Sequence, residues 1–202
     1  PDAVAATLRS LYPRAAAAFL NRDAALTHSL LASAFAILAP PVTPADDALA
    51  PHRRKWDILR VTFETTAYAD PPSAEDPEAF PPALRANKML SPCSLVSQLH
   101  ARSIQLFTPA QQQPDSAFLP TQILVTLALA SMRLQCPEVG RSMVEDWLAR
   151  RAPSVDREGL EGYANVLELY CLQVLPRLQE WDYAADFIQY ETELPQAFRD
   201  VS

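Results

Sequence analysis

The chain has 202 residues, a mass of 22.3 kDa and a formal net charge of -7, with 49% hydrophobic and 20% charged residues. This composition argues against disorder, and no apolar run reaches the roughly 18 residues that a membrane span requires. The 3 glycines and 19 prolines disfavour strands, hairpins and glycine-rich phosphate loops, and favour helices that begin and end at proline. We therefore predict one all-α domain over residues 1–202.

The first half of the chain shows several amphipathic helical patterns. In chain order, the patterns predict helices over residues 3–20, 23–38, 52–69, 83–90 and 93–107. Asp23 follows the short turn between the first two helices, and its carboxylate is expected to cap the second one. In the third helix, Trp56, Leu59 and Phe63 predict a face that turns toward the core.

Proline-rich segments separate these helices. They cover residues 39–51, 70–82 and 108–116. Because proline lacks an amide donor and clashes with the preceding helical turn, none of these segments can continue a helix. We predict linkers at all three places.

Residues 119–151 carry the clearest pattern, a pair of helices broken at Cys136-Pro137. The first helix, 123–134, is apolar almost all round, which is typical of an inner helix with several neighbours. The second places Val139, Met143 and Trp147 at four-residue spacing, which predicts an outer helix with one apolar face. The short loop between the two helices requires them to be antiparallel.

The C-terminal part repeats this organisation. Helical spacing returns over 163–174 and over 181–188, and the second helices of the two pairs begin at Pro137 and Trp181, 181 - 137 = 44 residues apart. That distance lies within the range of helical-hairpin repeats. We predict a tetratricopeptide-like, α-solenoid-like array of antiparallel helix pairs, each of which buries what its neighbour exposes.

No pattern of catalytic or metal-binding residues is evident. His28, His52 and His100 lack ligand spacing to one another and to the cysteines, and no nucleophile elbow, phosphate loop or dinucleotide fingerprint occurs. We predict a protein that is not an enzyme and has no metal or cofactor; a helical enzyme with convergent ionisable side chains is the less favoured alternative. The cysteines are odd in number and have no paired spacing, which is typical of a reducing compartment. They are Cys93, Cys136 and Cys171.

One dense cluster of positive charge, His52-Arg53-Arg54-Lys55, stands at the start of the predicted third helix, and Arg60 follows. A solvated helix face is the ordinary interpretation. However, positive charge at a helix N-terminus opposes the helix dipole, which favours a role outside folding. From their charge we predict that Arg53, Arg54, Lys55 and Arg60 bind an acidic partner. Reversal of Arg53, Arg54 and Lys55 to Glu is then expected to slow association and to leave melting nearly unchanged.

The last quarter of the chain is acidic. Residues 151–202 hold four Arg and ten Asp plus Glu, so their net charge is 4 - 10 = -6, which argues against a nucleic-acid partner. Residues 180–193 contain five acids and no base. Trp181, Tyr183 and Tyr190 lie among these acids, and they either form an ordinary exposed face or contact a partner.

A set of matching features extends from Leu119 to Ala184. In order, they are Leu119-Pro120 with an aliphatic helix to Met132, Pro137, Val144 to Trp147-Leu148, Tyr163-Ala164, Glu168, Val174-Leu175-Pro176-Arg177-Leu178 and Ala184. In these features the chain resembles the tail-anchored peroxins that recruit the peroxisomal AAA-ATPase to the membrane. The turn at Arg22-Asp23-Ala24-Ala25-Leu26 fits the same layout more loosely.

The resemblance implies a cytosolic helical adaptor that docks the N-terminal domains of the ATPase that extracts import receptors. It also implies a place at the cytosolic face of the peroxisomal membrane, with membrane contact only through a C-terminal anchor beyond Ser202. The linkers at 39–51 and 70–82 depart from the family pattern, so the resemblance does not locate the binding surface. A generic tetratricopeptide-like scaffold that binds a short peptide in a concave groove is the alternative.

Overall fold

The computed structural model describes residues 2–45, 47–71, 80–153 and 156–194, and within these ranges every regular element is helical. The predicted all-α fold is confirmed. The helices are α1 (Asp2–Leu20), α2 (Ala24–Phe35), α3 (Ala50–Ala69), α4 (Pro82–Lys88), α5 (Pro92–Phe107), α6 (Thr121–Arg133), α7 (Pro137–Arg150), α8 (Arg157–Leu169), α9 (Leu175–Arg177) and α10 (Trp181–Tyr190). A 3-10 turn, Ser116–Phe118, precedes α6, and a π turn, Tyr170–Val174, joins α8 to α9.

Local signals place most helix ends within a few residues of their predicted positions. Pro82, Pro92 and Pro137 each occupy the first position of a helix, where the missing amide costs nothing. The Asp23 carboxylate accepts a hydrogen bond from the Leu26 amide at 2.9 Å and caps α2, as predicted. No helix in the described ranges has both the length and the apolar character needed to cross a bilayer.

Three helix pairs share one turn geometry. Arg22, Gln135 and Gln179 have φ values of 58°, 59° and 62°, in the left-handed region. In each turn the amide of the following residue donates to the carbonyl five residues back. These bonds are Asp23 to Ala18 at 3.0 Å, Cys136 to Ser131 at 2.9 Å and Glu180 to Leu175 at 3.0 Å. The shared C-terminal cap identifies three equivalent helix pairs, in agreement with the predicted repeat: α1 with α2, α6 with α7, and the helical stretch from α8 through α9 with α10.

Two hydrophobic clusters meet at α3. Trp56, Leu59 and Phe63 face the cluster formed with α1, α2 and α4, whereas Val61 on the same helix belongs to the larger cluster of α5 to α10. The predicted inward face of this helix is confirmed. A helix that is apolar on two sides joins the N-terminal pair to the rest of the array.

Helix α6 is the inner helix that its composition predicts, because it packs against α3, α5, α7 and α8. Ile123, Leu124 and Leu127 are fully buried, while Leu129 is exposed. Met143 and Trp147 on α7 are buried against it.

Two of the three predicted linkers are joined to each other. The Ala110 amide in the third linker donates to the Pro41 carbonyl in the first at 2.9 Å. Thr108 and Ser116, at the two ends of the third linker, are buried. Most of the second linker lies outside the described residues, since 72–79 are not among them.

Gly140 permits the close approach of α7 to α6. A Cβ at this position would lie 2.3 Å from the Ser131 hydroxyl oxygen, well inside van der Waals contact. The Ser131 hydroxyl donates to the Ala128 carbonyl at 2.6 Å and is buried. A side chain at position 140 would therefore require the Ser131 hydroxyl, or the spacing of the two helices, to change.

Replacing Gly140 with Ala is expected to lower the free energy of unfolding by about 1–3 kcal/mol through overpacking. This is the net loss that we expect after the roughly 1 kcal/mol by which Ala is favoured over Gly in a helix interior has been subtracted from the overpacking cost. Adding Ser131→Ala removes the clashing oxygen and leaves the Ser131 Cβ position 3.4 Å away, so the double variant should regain most of the stability. Urea denaturation of both single variants and the double variant measures this coupling; equal losses in Gly140→Ala and the double variant would contradict it.

Candidate partner-binding surfaces

Arg53, one of the four predicted partner-binding cations, is an internal residue. Its side chain is only 4% exposed, and its two terminal nitrogens donate to the Asp47 carboxylate at 2.9 and 2.7 Å. Its Nε donates to the Ala39 carbonyl at 2.7 Å. The hydrogen bond from Arg53 lowers the pKa of Asp47 below its ordinary value. Arg53 therefore joins the first linker to α3, because each of its three guanidinium nitrogens donates a hydrogen bond within the chain.

Arg60 is also committed to an internal contact. It donates to the fully buried carboxylate of Asp57, and its guanidinium lies over the Phe35 ring, 4.2 Å from the ring centroid. Burial raises the pKa of Asp57, and the neighbouring positive charge of Arg60 opposes this rise. The positive charge of Arg60 therefore compensates the negative charge of a carboxylate in the core.

Arg53 is the buried member of the four cations, and Arg60 keeps only a small exposed fraction, 12% of its side chain. Lys55 is exposed and Arg54 is partly exposed. The structure therefore does not bring Arg53, Arg54, Lys55 and Arg60 together on one exposed face. Arg53 and Arg60 point toward other residues of the same chain, namely Asp47 and Ala39 for Arg53, and Asp57 and Phe35 for Arg60. A binding role for Arg54 and Lys55 stays a prediction.

Helix α10 carries a second candidate surface. Ala184 is its one fully buried residue, and Phe187 packs on the Tyr170 ring with centroids 5.6 Å apart. The remaining residues are exposed, and Trp181 and Tyr190 are 59% and 74% exposed. We use the name α10 outer surface for the exposed residues Trp181, Asp182, Tyr183, Ala185, Asp186, Ile188 and Tyr190. The exposure of these residues is compatible with both alternatives from the sequence, an ordinary exposed face and a contact with a partner.

Beside α10, the chain binds its own arginines with aromatic rings and carboxylates. The Arg151 guanidinium lies 3.9 Å from the Tyr163 ring centroid and pairs with Glu193. The Arg141 guanidinium lies 5.4 Å from the Tyr183 centroid, and one of its nitrogens is 3.3 Å from a Glu180 oxygen. A guanidinium that lies over an aromatic ring and beside a carboxylate is stabilised by a cation–π interaction and by an ion pair. The chemistry around α10 therefore suits guanidinium groups.

A small cleft lies where the α1–α2 turn meets α3 and α6. Its volume is about 130 Å³, with Phe19 and Phe63 among its apolar lining and Arg22 at its polar edge. Arg133, also at the edge, donates to the Thr66 hydroxyl at 2.9 Å and to the Asp70 carboxylate at 2.7 Å. The cleft has the size of a single side chain and the lining of an apolar anchor site with a charged rim.

Cys93 and Cys136 lie next to each other, although their spacing in the sequence gave no indication of it. Burial raises the pKa of Cys136 to about 12, and the neighbouring Cys93 thiol contributes to this rise. Cys93 is exposed near the start of α5, whereas Cys136 and Cys171 are buried. Only the packing of α5 against α7 brings together two residues that are 136 - 93 = 43 positions apart.

Mild oxidation with diamide is expected to join Cys93 to Cys136. Each thiol gives up one hydrogen, the sulfur–sulfur bond forms, and the diazene is reduced to its hydrazine. Peptide mass spectrometry should find a linked peptide lighter by two hydrogens, with Cys171 still free. Cys93→Ser should abolish the link and Cys171→Ser should not; an unlinked Cys93 after complete diamide treatment would contradict the proximity.

Among the residues that the structure describes, no group of three or more His, Cys, Asp or Glu side chains could hold a metal ion. Comparisons with protein-family models, with curated proteins and with solved structures find no match.

Proposed function

We propose that this chain is a non-enzymatic adaptor, a helical-repeat scaffold that docks the N-terminal domains of the peroxisomal AAA-ATPase. The proposal places it at the cytosolic face of the peroxisomal membrane. The observation that carries the docking role is the α10 outer surface, where Trp181, Ile188 and Tyr190 are exposed. Trp181 and Ile188 are seven residues apart and therefore lie on one side of the helix. Exposed aromatic and aliphatic side chains that lie side by side are typical of protein contact sites.

The residues of the peroxin resemblance support the scaffold part of this proposal. Trp147, Tyr163 and Leu175 are buried in the larger hydrophobic cluster, and Pro176 lies in the short helix α9. These residues determine how the helix pairs stack. The buried residues of the resemblance thus support the packing of the helices. We assign the partner contacts to exposed residues, which are not among the features that carry the resemblance.

The direct test is association between the purified chain and the purified N-terminal domains of the ATPase, measured by isothermal titration calorimetry. A saturable 1:1 or other fixed-ratio complex is expected. Both proteins must be folded by circular dichroism before mixing. The absence of heat and of co-elution at the highest soluble concentrations would overturn the ATPase proposal.

A second candidate function, a scaffold that binds a short peptide, is favoured by the cleft between the α1–α2 turn and α3. Phe63 and Ala67 there can receive one apolar side chain while Arg22 remains at the edge. Fluorescence anisotropy with a library of short labelled peptides separates the two functions. Peptide binding that is lost in Ala67→Trp, which fills the cleft, would favour this second function over the adaptor.

A further inference from the structure

The free side of α10 bears an apolar stripe. Trp181, Ala185 and Ile188 are exposed, and their spacing of four and three residues places them on one side of the helix. A helix face that meets water is normally polar, so an exposed apolar stripe calls for a partner. The stripe is therefore a surface on which a further protein element can continue the packing.

The charge next to this stripe is negative. Asp182 and Asp186 are one helical turn apart and exposed, and neither forms an ion pair with the described residues. Their neighbour Glu180 pairs with Arg141, whose guanidinium also lies over the Tyr183 ring. The surface therefore complements an element with arginine or lysine beside its apolar residues.

We propose that the α10 outer surface docks a basic amphipathic segment of the protein partner. Aliphatic side chains of that segment cover Trp181 and Ile188, and its arginine or lysine side chains pair with Asp182 and Asp186. This inference rests on the proposed adaptor function and adds the docking surface and the chemistry of the partner. Because charge contributes to the contact, the affinity should fall as ionic strength rises.

Trp181 reports directly on this surface. Of the three tryptophans in the chain, Trp56 and Trp147 are buried and Trp181 is exposed. In the free chain, acrylamide should quench the Trp181 emission, and caesium should quench it better than iodide because the neighbouring charges are negative. Trp181 emission already blue-shifted and protected in the free chain would show that the chain covers this surface itself, and would overturn the proposal.

Two probes are then titrated while the Trp181 emission is followed: the N-terminal domains of the ATPase, with their own tryptophans replaced, and a synthetic helical peptide of leucine and arginine. Binding should shift the emission to the blue and protect it from acrylamide. Asp182→Lys/Asp186→Lys should weaken binding on the order of tenfold or more. In calorimetry, Trp181→Ala/Ile188→Ala should have an effect of similar size.

The matched control is Glu158→Lys/Glu161→Lys, which changes the net charge equally on the exposed start of α8. It should bind like the wild type, and thermal melting should show that all variants are folded. Equal binding by wild type and Asp182→Lys/Asp186→Lys would overturn the docking surface and leave the adaptor function standing. Binding of the peptide but not of the ATPase domains, with loss in the α10 variants, would overturn the ATPase and support the surface. No binding of either probe would overturn both.

Discussion

Replacement of Arg53 by Glu is expected to lower the free energy of unfolding by roughly 3–5 kcal/mol, the cost of an uncompensated buried charge. The new carboxylate would face the Asp47 carboxylate and the Ala39 carbonyl, both of which now accept hydrogen bonds from Arg53. Water reaches Asp47, whose side chain is 40% exposed, but the Arg53 side chain is almost completely buried, so the new carboxylate itself would be poorly hydrated. Because Arg53 is buried, we now expect the reversal of Arg53, Arg54 and Lys55 to lower the melting temperature, whereas the sequence alone led us to expect almost no change.

Urea denaturation followed by far-ultraviolet circular dichroism measures this loss. Lys55→Glu, a charge reversal two residues away at an exposed position, is the matched control and should change the free energy of unfolding by no more than about 0.5 kcal/mol. Arg53→Lys keeps the charge but loses the two-pronged geometry, so it should fall between the two. Equal stability of Arg53→Glu and Lys55→Glu would contradict the internal position of Arg53.

The ion pair also predicts the direction of a pH dependence. The hydrogen bond from Arg53 holds the pKa of Asp47 below its ordinary value in the folded chain. The stabilisation by this pair is therefore present above the ordinary pKa and is lost as the pH falls through the folded pKa. The stability difference between the wild type and Asp47→Asn should therefore narrow in acid. Denaturation curves at neutral and acidic pH measure it, and a difference that widens in acid would contradict the assignment.

Replacement of Trp147 by Ala is expected to cost roughly 3–5 kcal/mol, as for other large aromatic side chains removed from a core. The indole is buried, and its Nε1 donates to the Leu119 carbonyl at 3.1 Å. The Arg151 guanidinium lies 5.1 Å from the indole centroid. Trp147 thus ties α7 to the segment that leads into α6, and its removal leaves a cavity and an unpartnered carbonyl.

Trp147→Phe separates the two effects, because it keeps most of the apolar contact and loses the hydrogen bond. We expect it to cost about 1–3 kcal/mol. Trp181→Ala is the matched control: the same substitution at an exposed tryptophan should change stability by no more than about 0.5 kcal/mol. Similar losses in Trp147→Ala and Trp181→Ala would contradict the scaffold role of Trp147.

The candidate site was only partly predictable. The exposed aromatic and acidic residues of α10 are adjacent in the sequence, so one helix displays them together and the sequence alone indicates the surface. The Arg53 cluster is also contiguous, but contiguity does not tell which cations turn inward. That depends on Ala39, whose carbonyl approaches α3 from 14 residues away.

The all-α fold, the helix pairs and most helix ends follow from local sequence signals, because periodicity, proline at the first helical position and the Asp23 cap act over three or four residues. Packing between distant elements, in contrast, explains why Arg53 and Arg60 bind groups within the chain, why Cys93 lies near Cys136, and why Gly140 lies against Ser131. These contacts join residues on different elements, and local patterns carry no information about which distant surfaces meet. The left-handed turns at Arg22, Gln135 and Gln179 also escaped prediction, because glycine is the usual sign of such a turn and none of the three is glycine.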